Sequence, residues 1–436
     1  MATLAPLLVS AGLIGWAAAM RSVTGTWLQP GAFFTLWWCF AGIIPLILAP
    51  NEPVGANAMV WLIAASIATS AGAVVGNIGL RTRLIDKLPA PTDRELKLFG
   101  WVLLAAIALG LLSNVMFALT VGVSLRDVLS FERLVVIANQ MYFARYGDTA
   151  AARPPAISQA MLPFVYLAPA IGGVLFVLRR EKKWKFLALC SFLPAVAVTV
   201  LQTTKAAMLF SLSLWLAGYF ATRLRFGKLA VFTRAHVVTA LLGVVSMFAV
   251  FFVVSLARLR STDVSLANVV FIKLFSAAFG HMTAFSQWLA DYTSSPFAPS
   301  LGKITFSGPL EMLGFGQRIP GLFESLVDLV AGDTSNVYTA FRPLISDFTI
   351  PGALVILFLL GLVGGVGFRL VAAGSWSGVL LLIVAYVTIF WTPVTWFWIY
   401  NSLTASVVAL GILIWFIRLW RGAARARVKE QVVGTA

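Results

Sequence analysis

Apolar and polar positions along this chain fall into long blocks, without the short alternation of a soluble fold. Apolar runs cover roughly 3–20, 32–49, 58–80, 98–122, 159–178, 186–203, 206–222, 236–255, 350–368, 377–394 and 403–418. Each approaches the ~20 residues that a helix needs to cross a bilayer. The pattern predicts an all-α, polytopic transmembrane helix bundle of about eleven spans. Pro169 and Pro194 interrupt two runs, which a bundle tolerates where neighbours satisfy the freed carbonyls. No internal repeat is visible, which disfavours the repeat-built transporter folds.

The whole chain, 1–436, reads as one integral membrane domain with two long loops, at about 122–159 and 256–349. Loops of that length usually carry function. Within the second, Leu266, Val270, Leu274, Ala277, His281, Phe285 and Trp288 recur at three- and four-residue spacing. That spacing predicts an amphipathic helix on the bilayer surface or over the bundle. Pro296, Pro299 and Pro309 then break the chain, and 320–330 predicts another short amphipathic segment.

Composition strengthens the membrane reading. The chain is 60% hydrophobic and 11% charged, where a soluble protein carries about 25% charged residues. Cys39 and Cys190 both fall inside apolar runs and report on packing. The first run has no basic residue ahead of it, and Arg21 follows it, so an uncleaved first helix is expected.

The net charge of +16 is unevenly placed. Arg21, the 81–97 link, the 179–185 link, the 223–234 link, Arg369 and the 418–429 tail hold most of the lysines and arginines. In the alternate links bases and acids balance, so the entire excess lies on one face. The positive-inside rule makes that face cytoplasmic, with the N-terminus outside and the C-terminus inside. Charge so distributed orients a protein and meets anionic lipid, and a nucleic-acid partner is excluded.

Signatures of metalloprotease, phosphate-loop and serine-hydrolase chemistry are absent. His236 and His281 fall on opposite faces and the outer acids lack paired spacing, so neither a metal nor a cofactor is expected. The outer cations are the candidates. Arg258 and Arg260 follow a helix exit, either gripping phosphate oxygens or anchoring the helix end. Lys205 sits in Gln-Thr-Thr-Lys at the outer end of a tight hairpin, against the positive-inside bias. The segment 335–352 gathers Asn336, Tyr338, Thr339, Arg342 and Asp347 before an apolar run. There Arg342 and Asp347 either pair, or act as phosphate ligand and base. Tyr338 and Thr339 contact substrate or cap the incoming helix. Arg133 and Arg145 in the first loop are weaker contacts, with Asp127 and Glu132 as solvated partners. Gly72/Gly76 and Gly361/Gly365 are small-residue pairs for close helix packing. Trp391, Trp396 and Trp398 read as an interfacial belt or a sugar-stacking face.

Several of these stretches resemble the O-antigen polymerase (Wzy) family. They are the Lys205 hairpin, the basic pair after the eighth span, Gly-Lys-Ile-Thr-Phe at 302–306, and Asn-Val-Tyr-Thr-Ala-Phe-Arg-Pro-Leu-Ile-Ser-Asp-Phe at 336–348. Where the family carries arginine this chain has Lys205, which keeps the charge and loses the bidentate fork. Where the family often has glycine after Asp-Phe, it has Thr349. The resemblance implies a GT-C-like or O-antigen-ligase-like architecture in the bacterial inner membrane, with its site facing the exterior. It implies a metal-independent glycosyltransferase joining polyprenyl-pyrophosphate-linked repeat units into lipopolysaccharide or other surface polysaccharide, with a chain-length regulator as a further partner. Lys205, Arg258, Arg260 and Arg342 would stabilise the departing pyrophosphate. Asp347, ahead of His281, would take the acceptor proton, and Asn336, Tyr338, Thr339 and Arg145 would bind substrate. An oligosaccharide ligase and a lipid-linked oligosaccharide flippase are the alternatives.

Overall fold

The computed structural model describes residues 4–48, 52–78, 92–124, 154–202, 204–227, 234–258, 266–295, 297–316, 325–330 and 334–433, with Arg133, Val136, Ile137, Gln140, Met141 and Phe323 besides. The helices are α1 (Leu4–Thr24), α2 (Pro30–Leu48), α3 (Ala56–Asn77), α4 (Asp93–Thr120), α5 (Ala156–Leu178), α6 (Lys182–Cys190), α7 (Leu193–Leu201) and α8 (Lys205–Arg225). They continue with α9 (Arg234–Arg258), α10 (Ala267–Phe279), α11 (His281–Ser294), α12 (Ser307–Met312), α13 (Phe341–Ala372), α14 (Trp376–Trp391) and α15 (Asn401–Val433). Extended structure among the described residues is one small hairpin, β1 (Val327–Asp328) antiparallel to β2 (Thr334–Ser335).

Among the described residues eight helical segments are long and apolar enough to cross a membrane: α1, α3, α4, α5, α6–α7 together, α8, α13 and α15. The bent pair α10–α11 makes nine if it is one broken span. The remaining apolar runs lie on α2, α9 and α14. The chain is therefore an all-helical, multi-pass membrane bundle. Hydropathy marks the fourth span from residue 98, but α4 begins at Asp93. A capping box sets that start: Thr92 Oγ1 accepts from Glu95 N, and Thr92 N donates to Glu95 Oε2.

Two expectations for the second loop change. The amphipathic stretch 266–288 is two helices meeting at 56°, not one continuous helix. Gly280 at the joint packs against Leu329 and Ser335 of the hairpin region, where a Cβ would stand 2.7 Å from Leu329 Cδ1. The described part of 320–330 is extended, because Val327 and Asp328 pair with Ser335 and Thr334.

Both glycine pairs meet in a single seam. A Cβ on Gly72 would collide with the carbonyl of Phe358, and one on Gly76 with that of Leu362. One on Gly361 would collide with Thr69, and one on Gly365 with Ala73. The order of these contacts makes α3 and α13 run parallel, their backbones touching through small residues. A second seam joins α5 and α8, where Gly173 meets the carbonyl of Trp215 and Gly218 that of Ala170.

The bundle has two chemically distinct ends. At one, Arg225 Nε donates to Gly374 O at 3.1 Å, Arg369 to Ile78 O at 3.1 Å and Arg418 to Ser377 Oγ at 2.8 Å. At the other, the Phe210 and Trp391 rings stack with centroids 3.5 Å apart, and Ala340 N donates to Thr392 O at 2.7 Å. The starts of α8 and α13 thus lie together, opposite the arginine cluster.

The α3–α13 seam predicts a sharp contrast between glycines. Gly361→Ala should cost about 3 kcal/mol, the upper range for overpacking. Gly15→Ala, whose Cβ position is open, should be neutral. Thermal unfolding of the detergent-solubilised variants checks the difference.

Candidate functional site

The site is built on the first turns of α13, where the chain re-enters the bundle. Phe341 anchors them. Its ring stacks on Trp38 at 4.7 Å and meets Phe285 at 5.5 Å and Trp61 at 5.6 Å, all buried. Thr339 enters this turn at φ 64°, and its Oγ1 accepts from Phe341 N at 3.2 Å, so it serves the helix start.

The next residue, Arg342, is half-buried and held by rings. Its guanidinium carbon lies 3.7 Å from the Phe323 ring centroid, 3.9 Å from Tyr338 and 5.6 Å from Trp288. Nη1 donates to Ser325 Oγ at 3.0 Å, and Tyr338 Oη donates to Ser325 O at 2.8 Å, tying cation and ring to one residue. Among the described residues no carboxylate pairs with Arg342. Guanidinium–aromatic contacts of this kind contribute roughly 1–2 kcal/mol when desolvated. Neutral rings do not cancel the charge, and among the described residues Ser325 Oγ is the acceptor that Nη1 reaches.

Asp347 does not pair with Arg342. It is fully buried, and its carboxylate collects donors from the Gly-Lys-Ile-Thr-Phe turn. Ser300 Oγ donates to Oδ1, Ile304 N reaches Oδ2 at 3.1 Å, and Thr305 N reaches Oδ2 at 2.5 Å. The backbone repeats the connection: Ser300 N donates to Ser346 O at 3.2 Å and Leu301 N to Asp347 O at 3.0 Å. Thr305 Oγ1 adds a bond to Pro343 O at 3.2 Å. The same segment reaches the start of α15 and the turn ahead of it: Asn401 Nδ2 donates to Glu311 Oε2 at 3.0 Å and Ser307 Oγ to Ile399 O at 3.3 Å.

The other candidates are spread around this centre. Lys205 is half-buried at the first position of α8, about 8 Å along the axis from Phe210 at 1.5 Å per residue. Phe210 touches Trp391, and Thr392 touches Ala340, so Lys205 and Arg342 share one end of the bundle. Helix α9 brings Arg258 to that end too, since Phe251 packs with Met208 and Leu209. The Arg258 side chain, Arg260 and Arg145 lie outside the described residues, as do Asp127 and Glu132, while Arg133 is exposed. His281 is buried, with Nδ1 3.2 Å from Ala278 O and Nε2 3.1 Å from Ala41 O. Asn336 is exposed beside the hairpin. Of the three expected belt residues, Trp391 and Trp396 are buried inside the protein, Trp391 by stacking on Phe210, and Trp398 is half-buried against Phe397. Among the described residues no group of three His, Cys, Asp or Glu side chains converges as a metal site would need.

Residue-level reading missed Phe323 and Ser325 as partners of Arg342. No local pattern joins the 302–306 turn to Asp347, since 40 residues intervene. Thr349 carried a usable signal. It breaks α13 at φ 64°, ψ 176°, a conformation nearly confined to glycine. Thr349→Gly is expected to raise stability by about 1 kcal/mol, the strain released less the entropy of glycine. A higher thermal midpoint with unchanged helicity checks it; a lower one would show that the threonine side chain is itself needed.

No protein-family model, curated protein or solved structure matches this chain.

Proposed function

We propose that this chain is a membrane glycosyltransferase that polymerises polyprenyl-pyrophosphate-linked oligosaccharide repeat units into surface polysaccharide. One observation carries the reading: Arg342 is a cation packed against two mutually perpendicular aromatic rings with no carboxylate beside it among the described residues, at the same end of the bundle as Lys205. In this reaction the bond from the sugar's anomeric carbon to the pyrophosphate oxygen breaks, and both electrons leave with the diphosphate. A hydroxyl of the next lipid-linked unit forms the new glycosidic bond and releases its proton. Charge accumulates on the leaving group, so preorganised cations lower the barrier. Arg342 and Lys205 take that role, with Arg258 and Arg260 as further ligands.

The bundle carrying them is GT-C-like in this reading, with its Lys205–Arg342 end at the outer leaflet of a bacterial inner membrane. Its basic end faces the cytoplasm, the N-terminus outside and the C-terminus inside. Asp347 and His281 are both buried and hydrogen-bonded, so the proposal rests on the cations and assigns the proton to neither. Partners are the lipid-linked glycan, membrane lipid and a chain-length regulator.

Purified protein in liposomes, given lipid-pyrophosphate repeat units alone, should produce a ladder of longer glycans. Arg342→Ala should lower chain extension by about 10²–10³-fold, as for other lost transition-state ligands, and Lys205→Ala should abolish the ladder too. Arg342→Lys should rescue little, since the fork and the ring stacking go together. A single transfer to a different acceptor would make the protein a ligase. Intact substrate crossing the bilayer would make it a flippase.

A further inference from the structure

We infer that Asp347 is a positioning residue for Arg342 and not the group that takes the acceptor's proton. The inference rests on the reading of Arg342 as a diphosphate ligand. A general base must come within about 3 Å of the proton it removes, directly or through one water. The Asp347 carboxylate is enclosed, and both oxygens already accept hydrogen bonds from residues 300–305. To act as a base it would first have to release those donors.

Its contacts define another task. Arg342 and Asp347 stand on the same short helix ahead of the Thr349 break. Residues 300–305 clasp that helix at three places: the Pro343 carbonyl, the Ser346 carbonyl, and the carbonyl and carboxylate of Asp347. A clasp at 343, 346 and 347 fixes the rotation of the helix about its axis. Rotation decides whether Arg342 lies against the Phe323 and Tyr338 rings.

Backbone strain marks the same place. Among the described residues the non-glycine positive φ angles are Leu301 at 52°, Thr339 at 64° and Thr349 at 64°. One lies in the clasp and one at each end of the helix it holds. Such conformations persist where surrounding contacts over-determine them, and they gather where geometry must be exact for function. Carboxylate-to-amide hydrogen bonds are among the stronger ones available for that purpose.

Full-length protein in lipid nanodiscs tests this with Asp347→Ala and Asp347→Asn. Hydrogen exchange at Leu301, Ile304 and Thr305 reads the clasp, and calorimetric affinity for inorganic pyrophosphate reads Arg342. Loss of the carboxylate in Asp347→Ala should speed that exchange and weaken pyrophosphate on the order of tenfold, as for a lost buried hydrogen bond. Asparagine can turn its oxygen to the two amides and its NH2 to the Ser300 hydroxyl. Asp347→Asn should therefore hold both readouts near wild type and keep the pH profile of chain extension. Ser300→Ala, a milder change, should move the two readouts together in the direction of Asp347→Ala.

Wild-type affinity in Asp347→Asn with chain extension abolished would make Asp347 the base and overturn the inference. Unchanged exchange in Asp347→Ala would remove the clasp, and faster exchange with unchanged affinity would remove its link to Arg342. Wild-type protein that binds no pyrophosphate would sink the diphosphate reading and this role with it. That failure is told apart by the Asp347→Ala exchange.

Discussion

A helix broken beside a membrane leaves backbone groups that lipid cannot satisfy, and the break in α13 imposes that demand on everything near it. In an unbroken helix the carbonyl of Asp347 would accept from residue 351, but Pro351 has no N–H. Leu301 N supplies the missing donor and Ser300 N serves the carbonyl of Ser346. Once the turn 300–305 is drawn in for the backbone, the Asp347 side chain lies among its amides. The same segment continues to the start of α15 through Ser307 and Glu311. One local deficit of donors thus ties together three parts of the chain that are remote in sequence.

Packing determines which side chains that assembly presents. The glycine seam makes α3 and α13 parallel, so both begin at the same end as the broken turn. That brings Trp61 of α3 and Trp38 of α2 against Phe341. With Phe341 fixed in the core, the neighbouring Arg342 is directed to Phe323 and Tyr338. The arginines that bond Gly374, Ile78 and Ser377 occupy the opposite end. Segregation of charge along the sequence and segregation along the bundle axis therefore agree.

Much of the architecture was legible because it depends on periodicity and on residue size. The apolar runs marked the helices, and the glycine spacings marked surfaces of close approach. Helix starts were less legible from hydropathy, since α4 is set by Thr92 and Glu95 and not by its first apolar residue. The bend at Gly280 and the extended pair at 327–328 depend on contacts between distant segments, so local spacing gave neither. For the candidate site, composition exposed Arg342, Asp347 and Lys205, but not their partners. Whether Asp347 faces a guanidinium five residues away or an amide 42 residues away is decided by tertiary packing. Proline at 351 and threonine at 349 announced an irregular helix without saying what would satisfy it.

The choice of partner for Arg342 has an electrostatic consequence. A carboxylate beside it would stabilise the guanidinium and cancel its field, and the proposed diphosphate would have to compete with that carboxylate. Aromatic faces stabilise the cation through their quadrupoles and carry no net charge. Phe323 and Tyr338 therefore offset part of the cost of partial burial without cancelling the positive charge. Asp347, which could have cancelled it from five residues away, spends its charge on backbone amides instead. Holding the acid away from the base by hydrogen bonds, and the base in place by rings, leaves Arg342 with no carboxylate partner among the described residues. In the proposed reaction a diphosphate would complete that site, and the charge it gains on leaving would strengthen its attraction to Arg342.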